Sequence, residues 1–114
     1  MLAFSKTQIA VLNLIIEDAN SEREIKILIS SPYQLDSNWA CQVGLEGVDS
    51  IYPEIFGADS VHALNSAMSF IGDRLRTLVK SGAKLTFGVQ NKFPRHPFPI
   101  DHYFPTIPSG PYSE

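Results

Sequence analysis

His96, Asp101 and His102 are the residues whose types could most directly do chemistry, since an imidazole titrates near neutral pH and a carboxylate can orient it. Their spacing matches no catalytic signature. They lie in a proline-rich stretch, whereas acid-base sites need rigid support, so we read them as polar residues of a loop and expect no catalysis. Cys41 is the only cysteine, which rules out an internal disulfide and a thiolate metal cluster within one chain. It falls on the apolar side of an alternating segment, with no base arranged beside it, and reads as a small buried hydrophobe of ordinary reactivity. Three dispersed histidines and one cysteine give no metal-ligand spacing, and Gly44, Gly47 and Gly57 do not build a phosphate loop. Neither metal nor cofactor is expected. Residues 57–60 open a helix whose free amides could hold an anion, but Asp59 already occupies that position.

Charge gives a second line of inference. The 114 residues carry a net charge of −3, with nine acids against three bases in residues 1–60 and three acids against six bases in residues 61–114. An acidic first half disfavours nucleic acid and favours a basic partner. Lys92, Phe93, Arg95 and Phe98 form only a faint version of the basic, aromatic face that nucleic acid requires. The acids Asp18, Glu22, Glu24, Asp36, Asp49 and Glu54 are the candidate contacts for such a partner, with Tyr33 or Tyr52 as an aromatic anchor.

These residues need elements to position them. With 44% hydrophobic and 18% charged residues, the composition is that of a globular domain, and the length fits one core. No apolar run reaches the roughly 20 residues that span a bilayer, and no convincing secretion signal opens the chain, so a cytoplasmic protein is expected. Residues 8–16 and the alternating Ile25, Ile27 and Ile29 predict two strands joined by a turn at residues 18–21. Residues 31–38 read as a loop. Trp39, Cys41, Val43 and Leu45 alternate with Ala40, Gln42, Gly44 and Glu46 as a third strand, and Pro53 confines residues 51–56 to a short edge strand or a non-strand conformation.

Residues 57–80 hold the clearest pattern in the chain. Asp59 or Ser60 caps a helix in which Val61, Leu64, Ala67, Met68, Ile71, Leu75, Leu78 and Val79 share one arc, with His62 on the opposite, solvated side. Gly72 beside the packed face indicates close approach of another backbone. A coiled-coil seam is the competing interpretation, but Ala63, Ala67 and Phe70 widen the apolar face beyond one. Gly82 ends the helix and residues 83–89 return as a last strand. The expected fold is α+β: an antiparallel sheet of four to five strands with one long helix across one face. Its domain occupies residues 1–89, followed by a Pro/aromatic-rich extension over residues 90–114 that holds six of the eight prolines. Residues 93–104 are expected to lie along the domain and residues 105–114 to be loose.

Trp39-Ala40-Cys41, Gly57-Ala58-Asp59-Ser60 and Ala63-Leu64 with Ala67 ahead of Ile71 resemble a family of small uncharacterised bacterial domains, over residues 8–89. That resemblance implies no activity and transfers no catalytic residue. In size, acidity and β-rich plan the chain also looks like immunity proteins that neutralise secreted bacterial toxins, many of them basic nucleases. The leading expectation is a non-enzymatic binding protein of that kind, acting on a basic toxin domain. A small enzyme or ligand-binding domain using the histidine cluster, and a structural subunit that oligomerises through the helix or a strand edge, are the alternatives.

Overall fold

The computed structural model describes residues 4–19, 21–88 and 96–104. Strands β1 (Gln8–Asp18) and β2 (Ser21–Ser30) form a long antiparallel hairpin, followed by β3 (Tyr33–Leu35), β4 (Asn38–Glu46), β5 (Glu54–Gly57), helix α1 (Ser60–Lys80), β6 (Lys84–Phe87) and a single helical turn α2 (Ile100–Tyr103). Every pairing is antiparallel: β6 with β1, β1 with β2, β2 with the second half of β4, and both β3 and β5 with its first half. One helix crosses one face, which gives the α+β plan that the apolar patterns predict.

Alternation decides which side chains meet that helix. Leu14, Ile16, Ile25, Ile27, Ile29, Cys41, Val43 and Leu45 point inward and pack with Ala63, Ala67, Ile71 and Leu75 of α1. All are nearly or completely buried, and each large aliphatic side chain removed from water contributes about 1.5–3 kcal/mol. The small residues Ala63 and Ala67 let the helix lie close to the strands.

Seating the helix starts at Gly57. A Cβ at that position would stand 2.3 Å from the Ala63 nitrogen, so no other residue fits without moving the helix. Asp59 caps α1 by accepting the His62 N–H at 2.8 Å, and the His62 Nδ1 accepts the Ala58 N–H at 2.9 Å. His62, expected simply to face water, therefore closes a reciprocal cap from its exposed position. At the far end, Ser81 and Gly82 follow the last turn, with Gly82 at φ 109°.

Several element boundaries depart from the sequence expectation. The segment taken as a loop at residues 31–38 contains β3. Between Ile29, opposite Val43, and Tyr33, opposite Ala40, the chain advances one residue further than β4 does, so β3 resumes the ladder beyond a bulge at Ser31-Pro32. The Ser30 hydroxyl accepts the Gln42 N–H there at 2.8 Å, restoring the bond that the bulge interrupts. The edge strand begins after Pro53 rather than before it. Val61 and Val79 were expected on the packed face, yet they are 75% and 43% exposed. Both valines share one angle at the rim of the arc, away from the buried stripe of Ala63, Ala67, Ile71 and Leu75.

Residues 96–104 close the fold. The Phe98 N–H bonds the Leu85 carbonyl at 2.8 Å, Pro97 bridges Thr86, and Phe98 and Phe104 enter the core. Phe104 explains Gly72, because a Cβ on that glycine would stand 2.8 Å from the Phe104 Cβ. The expectations for residues 89–95 and 105–114, including Lys92, Phe93 and Arg95, lie outside the described residues.

Two substitutions test the helix seat. Gly57→Ala should cost about 2–3 kcal/mol in a urea unfolding series, from the collision with Ala63, and Asp59→Ala about 1 kcal/mol, from loss of the cap. An unchanged midpoint for Gly57→Ala would contradict the close contact.

Candidate functional site

The face of the sheet turned away from α1 carries the most concentrated set of functional side chains. Alternation in β4 sends Ala40, Gln42, Gly44 and Glu46 to this side, opposite the core positions Cys41, Val43 and Leu45. Gly44 leaves room for an aromatic ring: a Cβ there would stand 2.7 Å from Tyr52 Cδ1. Tyr52 lies in that space, donates its hydroxyl to Glu46 at 2.6 Å, and meets Phe4 edge-on with ring centroids 6.0 Å apart. Gln42, 6% exposed, ties the surrounding loops together, donating to the Tyr52 carbonyl and accepting the Ser5 and Lys6 amides.

Tyr33 forms a second pair on the same face. It stands opposite Ala40, donates its hydroxyl to Glu54, and holds the Lys6 ammonium 4.4 Å from its ring centre. Phe56, the β5 partner of Ala40, is 53% exposed across β4 from Tyr33. Burial and then the Glu54 carboxylate push the Tyr33 hydroxyl above the ordinary tyrosine range. The bond to Glu46 does the same for Tyr52, with smaller contributions from burial and charge. Both phenols thus stay protonated donors well past neutral pH, and each sits on a carboxylate that keeps further acceptor capacity.

Of the residues expected to contact a partner, Tyr33, Tyr52 and Glu54 come together here. Glu22 and Glu24 project from β2 on the same side as Lys26, toward the hairpin end; Glu22 stands opposite Glu17 and Glu24 opposite Ile15. The others serve the fold. Asp18 accepts the Ser21 hydroxyl at 2.7 Å and pairs with Arg23 at 3.5 Å across the β1–β2 turn. Asp36 occupies the β3–β4 turn with φ 57°, a conformation aspartate tolerates better than most residues. Asp49 receives two bonds from Arg74, at 2.6 and 3.3 Å, fastening the loop after β4 to α1 and raising the Arg74 pKa. Glu46, Phe56 and the N-terminal Phe4 and Lys6 were missed, although the alternation of β4 already placed Glu46 opposite Cys41.

The histidine cluster is not assembled as an acid-base unit. Asp101 accepts Arg76 Nε and Nη2 at 3.1 and 2.8 Å, while the His96 contact to the sheet is through its carbonyl, which accepts the Phe87 N–H. Cys41 is fully buried, its thiol donating to the Ser30 carbonyl at 3.1 Å, and burial raises its pKa despite the Ser30 bonds. Among the described residues, no group of three or more histidine, cysteine, aspartate or glutamate side chains is placed to hold a metal ion, and no helix is long and apolar enough to cross a membrane.

Two titrations follow. A raised tyrosine pKa means that stability is complete below the unfolded-state value near 10 and declines as pH rises beyond it, where only the unfolded chain ionises. Tyrosinate absorbance should therefore include a component that appears late, well above pH 10, and Tyr33→Phe should diminish it; a single transition near 10 would contradict the pairing. Cys41 should resist a thiol reagent in the native protein and react at the rate of unfolding. Rapid labelling without unfolding would show that the thiol is accessible.

Comparison with known proteins gives this fold a place but no activity. No curated protein and no solved structure matches the chain. The family described as Domain of unknown function (DUF6968) matches residues 11–99, from within β1 through β6, with α1 and the segment that carries Phe98. With most of its length covered, the chain belongs to that family.

Proposed function

We propose that this protein is a non-enzymatic binding protein, an immunity protein that neutralises a basic bacterial toxin domain through the helix-free face of its sheet. The observation that carries this reading is the grouping of Tyr33 with Glu54 and Tyr52 with Glu46 beside the exposed Phe56. Tyrosine and phenylalanine supply rigid contact area at small entropic cost, and the adjacent carboxylates match a basic surface. Their preformed pairing means little ordering is needed on association. Glu22 and Glu24, on the same side of β2, extend the acidic surface and steer encounter. Inhibition of this kind needs only occlusion of the toxin's own site.

Coexpression with the basic product of the adjacent gene tests the proposal through growth rescue and copurification. The native chain should rescue growth and copurify, and Glu54→Lys or Phe56→Glu should weaken capture by about tenfold or more. Association should also slow as salt is raised. Failure of the native chain to rescue or copurify, or full rescue by the Glu54→Lys, Phe56→Glu double variant, would overturn it.

A further inference from the structure

A second site lies where the end of α1, β6 and residues 97–102 border an open cleft of about 700 Å³. That volume is in the range of small-molecule sites. Its apolar surface comes from Val79, Ala83, Leu85, Pro97, Phe98 and Ile100. The walls are fixed by the backbone. Phe98 N–H bonds Leu85 and Ala83 N–H bonds Leu78 at 3.1 Å, while Arg76 fastens α2 to α1 through Asp101 and the Phe104 carbonyl.

The lining residues of the opening carry mostly positive charge, with Glu17 the strand partner of Lys84. Lys80 and Lys84 line the cleft together with Arg76 and His102, against the single carboxylate Asp101, which Arg76 already holds. No ion pair among the described residues engages either lysine. Lys80 and Lys84 thus stand beside an apolar hollow, and Val79 remains 43% exposed at its edge. A neutral apolar ligand would leave these ammonium groups unused. A cationic one would be repelled.

We propose that this cleft binds a small amphipathic anion, with its apolar body between Val79, Leu85 and Phe98 and its carboxylate at Lys80 and Lys84. Its lining comes from α1, β6 and residues 97–102, which carry none of the proposed protein contacts.

Three probes with the same chain and different head groups decide the question: octanoate, 1-octanol and octylammonium, each titrated into the full chain with backbone amide resonances as readout. Octanoate should bind tightest and shift the amides of Val79, Leu85 and Phe98. The Lys80→Glu, Lys84→Glu variant should weaken octanoate by about fivefold to tenfold and favour octylammonium, and Val79→Trp should block binding by filling the cleft. Both variants alter exposed positions, and an unchanged urea midpoint will establish that each folds. Equal binding of the three probes, shifts confined to other surfaces, or no binding of octanoate at millimolar concentration would each overturn the proposal.

Discussion

The closest constraint in this structure is the contact between Gly57 and the first turn of α1. The strand ends where the helix begins, and the Ala63 nitrogen occupies the space a side chain on residue 57 would need. With the start fixed there and Asp59 holding the cap, Ala67, Ile71 and Leu75 fall over the inward residues of β4 and β2. Trp39 is the strand partner of Gly57, and Cys41 that of Ile55, so the residues carrying the family resemblance meet at one junction. Their shared role is to seat a helix.

With α1 covering one face of the sheet, the other carries the two tyrosine–glutamate pairs. The absence of a side chain at Gly44 admits Tyr52, and the buried Gln42 secures the loops on either side of it. The bulge after Ser30 then aligns Tyr33 with Ala40 and places its hydroxyl on Glu54. Residues 96–104 make a different contribution, since Phe98 and Phe104 extend the core while their neighbours shape the basic cleft. Glu46 and Glu54 thus lie on the sheet, and Lys80 and Lys84 beyond the end of the helix.

Period and capping made the helix, the long hairpin and the β4 alternation legible from sequence. The pairing of β4 with β5 was not, because Pro53 marks a boundary without saying on which side the strand lies. Phe56 could be placed across β4 from Tyr33 only once that register was known. Leu28 reads as an outward position, yet it is 3% exposed because its face is sheltered near Gly44 and Tyr52. Likewise Asp49 looked like a free surface acid until its distant partner Arg74 came into contact. Local pattern specifies faces, whereas the partners on each face depend on contacts far apart in the chain.

Native-state amide exchange addresses the helix seat most directly, since it reports the opening free energy of each element. If the junction at Gly57 makes helix and sheet one cooperative unit, the amides of Ala67, Ile71 and Leu75 and those of Val43 and Leu45 will share the free energy of global unfolding. Exchange of the α1 amides at a distinctly lower free energy than those of β4 would contradict it, by showing that the helix leaves the sheet while the strands stay paired.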